Sequence, residues 1–119
     1  MVFPEGWDSN GRVGIMQYQK FLFSLGIPVQ PVALKVSIPW LPMIEASKLG
    51  TSIFAEILWM CFVPFFYFEL EFLPIQKQQE KETEIEFAKR VQVMTANALN
   101  VTPTEYSFKD ALELRKKLV

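Results

Sequence analysis

The stretch Ile57–Phe68, ILWMCFVPFFYF, limits what this chain can fold into more than any other segment. As a helix these twelve residues would cover roughly 18 Å, against a bilayer hydrocarbon core of about 30 Å. A straight helix of this length does not cross a membrane. Pro64 also interrupts it, because proline removes a backbone donor and clashes with the preceding turn. Two uses remain: a buried core element, or a segment lying in a lipid interface with Trp59 and Tyr67 at headgroup depth. The crowding of Phe62, Phe65, Phe66, Tyr67 and Phe68 favours lipid contact, with Trp59, Phe62, Phe65, Phe66 and Tyr67 as the contacting side chains.

The flanking patterns are of two kinds. Val32, Leu34, Val36 and Ile38 alternate with small or polar residues, and so do Phe66, Phe68, Leu70 and Phe72 with Tyr67, Glu69 and Glu71; both read as strands. Pro28 and Pro31 precede the first strand, and Pro74 closes the second. Residues 3–14 read as a loop, and Ile15–Leu25 as a short apolar segment stopped by Gly26. A polar connector over 76–83 leads to a helix over 83–99, where Phe87, Val91, Met94 and Ala98 make one apolar stripe. Asn100 suits its left-handed C-terminus. Ser107 and Asp110 suit the start of a last short helix.

This order predicts an α/β chain in which residues 1–75 form the main body and 76–119 the connector and closing helices of the same domain. Two strands do not make a stable sheet by themselves. The pattern therefore predicts a partial domain, with further strands expected upstream of Met1.

Composition removes several functions. A formal net charge of −1 gives no broad attraction to nucleic acid, so no nucleic-acid partner is expected. With no histidine and a single cysteine, Cys61, there is neither an internal disulfide nor a zinc-ligand set. No metal and no cofactor are expected. The lone thiol fits a reducing, cytosol-facing setting.

The opening stretch narrows the reading. Phe3-Pro4-Glu5-Gly6 followed by Ser9 resembles the acceptor-binding block of the glycerolipid (PlsC-type) acyltransferase family, and Ile27-Pro28-Val29-Gln30-Pro31-Val32 resembles that family's next block. Asn10-Gly11-Arg12, Glu56–Trp59, Phe62–Phe65 and the run Glu86-Phe87-Ala88 through Arg90-Val91-Gln92 are similar to a membrane and lipid-droplet branch of it. Ala98–Val101 and Tyr106–Asp110 also resemble the lysophosphatidylcholine acyltransferases.

The resemblance covers nearly the whole chain and implies the C-terminal half of an acyltransferase-like domain. It implies an acceptor-binding turn carrying Glu5, Gly6, Ser9 and Asn10, where glycine admits close backbone approach and hydroxyls donate hydrogen bonds. Trp7 replaces the usual Thr or Ser, and Asp8 stands where arginine is common; a carboxylate there repels phosphate. The family's His-x4-Asp pair, in which His removes the acceptor's proton, has no counterpart in a chain without histidine. No catalytic residue is therefore assigned.

For partners, the resemblance implies a membrane or lipid-droplet surface and, in a longer protein, lysophospholipid and acyl-CoA. It implies the cytosolic face of the endoplasmic reticulum, and an adaptor role in ubiquitin-dependent protein degradation through segments outside this chain. The alternative is a fragment of an active lysophospholipid or glycerol-phosphate acyltransferase.

Overall fold

The computed structural model describes residues 1–6, 13–40 and 52–118. Their order is β1 (Gly14–Ile15), a 3-10 helix (Lys20–Leu25), β2 (Val32–Ser37), α1 (Ile53–Phe62), β3 (Tyr67–Phe72), α2 (Glu84–Leu99), β4 (Thr102–Pro103) and α3 (Phe108–Leu118). This is the mixed α/β arrangement of short strands and packing helices that the sequence predicts.

α2 organises the body, and its ends are fixed locally. At its start the Thr83 hydroxyl accepts from the Glu86 amide, while the Glu86 carboxylate accepts from the Thr83 amide at 2.8 Å, a reciprocal capping box. At its end Asn100 adopts φ 54°, and the Val101 amide reaches back to the Ala96 carbonyl at 3.0 Å. Between the caps, the apolar stripe turns Phe87 and Val91 inward until both are fully buried. Phe87 meets the ring of Phe23 edge-on at 5.2 Å, and Phe23 stacks on Tyr18 at 6.2 Å. Ile15, Ala88 and Ala96 complete this core.

β1 and β4 are a two-residue parallel pair, with Gly14 opposite Thr102 and Ile15 opposite Pro103. Such short strands leave no periodic signature. Gly14 is required here by close approach: a Cβ would lie 2.6 Å from the Thr102 carbonyl oxygen. α2 ties the pair down through Gln92, a buried amide that donates to the carbonyls of Ile15, Met16 and Thr104 at 3.3, 3.0 and 2.9 Å.

β2 and β3 form a separate antiparallel ribbon, pairing Val32 with Phe72, Leu34 with Leu70 and Val36 with Phe68. Directly opposed residues share a face. One face therefore carries only Val32, Leu34, Val36, Phe68, Leu70 and Phe72, and the other Ala33, Lys35, Ser37, Tyr67, Glu69 and Glu71. α2 packs on β2, and Ala33 is buried. The apolar face of β3 stays open, since every residue of that strand is exposed. Beyond the ribbon, Val29 and Gln76 exchange two backbone hydrogen bonds at 2.8 and 2.7 Å.

The polar connector is anchored, which its composition does not reveal. Arg90 holds the Glu82 carboxylate with two donors at 2.7 and 2.9 Å, the Gln76 side chain at 2.6 Å and the Lys77 carbonyl at 2.9 Å. Its guanidinium also lies 5.0 Å over the Phe87 ring. The Arg90 hydrogen bond holds the Glu82 carboxyl below its ordinary value of 4.5. Hydrogen bonds from Thr83 and Ser107 do the same for Glu86 and Asp110.

Two outcomes follow from this packing. Phe87→Ala removes the ring at the centre of the core and is expected to cost about 3–5 kcal/mol in denaturant unfolding. A carboxyl whose folded pKa is depressed contributes stability above its unfolded value, and loses it as pH falls through the folded one. Stability is thus expected to decline as pH is lowered from about 4.5 through the depressed pKa values. Glu82→Gln should shallow that decline in an acid titration followed by circular dichroism.

Candidate functional site

The opening turn is held to the body by its backbone and by one carboxylate. The Gly6 amide donates to the Phe3 carbonyl at 3.3 Å, and Gly6 has φ 70°, a conformation that disfavours any side chain. A Cβ on Gly6 would strike the Gln19 side-chain amide. The Pro4 carbonyl accepts from the Gln19 amide at 2.8 Å. Glu5 is half-buried and accepts from the Met16 amide at 2.9 Å. Glu5 and Gly6 thus lie together against the segment after β1. Ser9 and Asn10, together with Trp7, Asp8 and Arg12, lie outside the described residues.

Beside this turn is an open hollow of about 550 Å³ between the 3-10 helix, α2 and α3. Gln19 and Phe108, the two side chains nearest Gly6, both line it. So do Tyr18, Lys20, Lys89 and Lys109, with no carboxylate among the described lining residues. Burial pushes the Tyr18 phenol above its ordinary value, against the effect of a hydrogen bond with Thr95. Among the described lining residues no base is paired to a nucleophile. Among the described residues no cluster of His, Cys, Asp and Glu is suited to a metal.

The second candidate is the apolar surface. Ser52 caps α1 by accepting from the Ala55 amide at 3.3 Å, and the helix then runs IFAEILWMCF. No other described element packs closely on it. Phe54 is 86% exposed, Phe62 75% and Leu58 65%. Trp59, less open, and Cys61 are also exposed. After Val63, the chain turns so that Phe65 and Tyr67 are exposed and Phe66 half-buried. Phe65 lies 6.3 Å from the ring of Trp40, and Phe66 lies 6.4 Å from that of Phe68. Among the described residues, no helix is long and apolar enough to cross a membrane.

The five aromatics singled out from sequence therefore sit on one continuous length of chain running from α1 into β3. Phe54, Leu58, Phe68, Leu70 and Phe72 join them as exposed apolar side chains. The alternation of β3 shows which of these residues share a face, but gives no sign that the face lacks a cover.

No family model matches the chain, and no solved structure does. Curated relatives do. The lipid droplet-regulating VLDL assembly factor AUP1 of Xenopus tropicalis is 34% identical over 117 residues, covering 98% of this chain and 28% of that protein. The Homo sapiens protein of the same name is 33% identical, with 98% and 28% covered. Lysophosphatidylcholine acyltransferase 2B of Rattus norvegicus is 36% identical over 112 residues, 92% of this chain and 21% of that protein. The chain thus spans little more than a quarter of the length of the AUP1 relatives it matches. Over nearly all of its length it is a homologue of one stretch of AUP1, ancient ubiquitous protein 1, with lysophosphatidylcholine acyltransferase as a further relative.

Proposed function

We propose that this chain is the C-terminal part of an acyltransferase-like domain that rests on a lipid surface and carries out no acyl transfer by itself. The observation that supports it most is α1, an apolar helix whose side chains from Phe54 to Phe62 are exposed except for half-buried Glu56, and which no other described element covers. Fully burying one Phe or Leu side chain is worth about 1.5–3 kcal/mol. A handful of such side chains leaving water together provides a strong drive toward lipid. The lipid-droplet function in the AUP1 relatives' name agrees with that use.

In this reading Trp59, Phe62, Phe65 and Phe66 enter the interface, and Tyr67, on the charged face of the ribbon, meets it only at its edge. Glu5, Gly6, Ser9 and Asn10 form the remnant of an acceptor turn, in which Asp8 disfavours phosphate. Residues 1–75 are the rear of the acyltransferase-like body, and 76–119 its connector and closing helices. The sequence resemblance extends the proposal to lipid droplets and the cytosolic face of the endoplasmic reticulum. It also extends it to a longer adaptor in ubiquitin-dependent degradation, whose contacts with ubiquitin-conjugating enzymes lie in segments other than this one.

The identity to a lysophosphatidylcholine acyltransferase favours a second reading, a fragment of an active enzyme using acyl-CoA and lysophospholipid. The two differ in an assay of the chain itself. A chain of 119 residues without histidine is expected to transfer no acyl group from acyl-CoA above a boiled control. Turnover would support the enzyme. For lipid contact, Phe62→Ser with Phe65→Ser should lower co-flotation with phosphatidylcholine vesicles on the order of tenfold or more. Unchanged flotation would sink the assignment.

A further inference from the structure

The charges around the apolar surface carry information about the kind of lipid it meets. From Ser52 to Gln76 the chain has no lysine or arginine, while Glu56, Glu69 and Glu71 are acidic. Helices that lie on anionic membranes carry Lys and Arg on their polar side, each worth about 1 kcal/mol near such a surface. α1 has one charged residue, the half-buried Glu56. Attraction to acidic headgroups is therefore missing, and the acidic residues oppose it.

The ribbon repeats the pattern. Its apolar face holds no charge, and its charges, Lys35, Glu69 and Glu71, are confined to the other face, where Lys35 and Glu69 pair at 3.9 Å. Phe68 and Phe72, 59% and 67% exposed, each leave on the order of 100 Å² in contact with water. The contact between the Phe66 and Phe68 rings joins this face to the chain leaving α1. Among the described residues β2 and β3 pair only with each other, so their outer amides and carbonyls need water or headgroups. The ribbon can thus lie at interfacial depth, about 5–10 Å, but no deeper.

Building on the lipid-contact reading above, we infer that α1 and the apolar face of the ribbon form one docking surface for loosely packed, uncharged lipid. Bulky rings on a stretch, 52–76, that carries no lysine or arginine gain where headgroups part and expose acyl chains or oil. Curved phosphatidylcholine bilayers and phospholipid-coated triglyceride droplets both offer such gaps. Acidic headgroups add nothing to the binding.

The test is co-flotation of the 119-residue chain with four probes at low and high salt. These are small and large dioleoyl phosphatidylcholine vesicles, large vesicles containing phosphatidylserine, and phosphatidylcholine-coated triolein droplets. Small vesicles and droplets should bind on the order of tenfold better than large vesicles. Phosphatidylserine should not raise binding, and salt should not lower it. Phe68→Ser with Phe72→Ser should weaken droplet binding by a similar factor while leaving the thermal unfolding curve in place.

Binding that rises with phosphatidylserine and falls with salt would overturn the inference and leave lipid contact standing. So would equal binding to all four probes, or a ribbon variant that binds as before. Binding to none would overturn both. A concentration-dependent dimer in sedimentation, abolished by the ribbon variant, would assign the ribbon face to a second copy of the chain and overturn the inference as well.

Discussion

The side-chain amide of Gln92 is where separate parts of this chain meet. Buried on the inner side of α2, it donates to carbonyls before the 3-10 helix and after β4. The Ile15 carbonyl also accepts from the Thr104 amide and hydroxyl, so Gln92 adds a third donor to a junction that β4 already closes on β1. β1 and β4 are two residues long, far below what a ladder needs to persist. Docking by a well-capped helix is what holds them. The neighbours of Gln92 do related work: Glu86 closes the cap, Phe87 and Val91 fill the core, and Arg90 fastens the connector. The Glu86–Gln92 run that carries the sequence resemblance is thus explained by packing, without any chemistry assigned to it.

How much of this is readable in the chain depends on how local the cause is. The left-handed Asn100, the Gly26 stop and the pairing of Ser107 with Asp110 all arise within a few residues, and sequence spacing reveals them. The Thr83–Glu86 cap is equally local but is shown by the structure. The strands β2 and β3 are legible because alternation is a property of each strand alone. The β1–β4 pair is not, since its partners are far apart in sequence and neither has a period. The connector reads as solvated because its residues are polar. Arg90 nevertheless draws Gln76, Lys77 and Glu82 onto α2 through contacts that composition does not encode.

The candidate site divides along the same line. Gly6 is recognisable as a turn glycine, and its positive φ agrees. That Glu5 binds the Met16 amide is a tertiary fact with no sequence signal. For the apolar run, the sequence leaves two uses open, because a helix apolar on all sides suits either a protein interior or lipid. Packing bears on the choice. Across the described residues no element covers α1, and the small core around Phe87 is built without it.

An exposed apolar ribbon beside an exposed apolar helix carries a risk as well as a use. Two strand edges unpaired among the described residues, and a face of Val, Leu and Phe, invite pairing with other chains. The chain counters this locally. Pro64 and Pro74 bracket β3, and Glu69 and Glu71 alternate with its apolar residues, so a neighbouring copy of β3 in register would bring like charges together. These same acids deprive the surface of attraction to anionic headgroups. Restraint against self-association and preference for uncharged lipid thus have a shared origin. The alternation that keeps β3 from its own kind leaves its Phe and Leu side chains open to acyl chains.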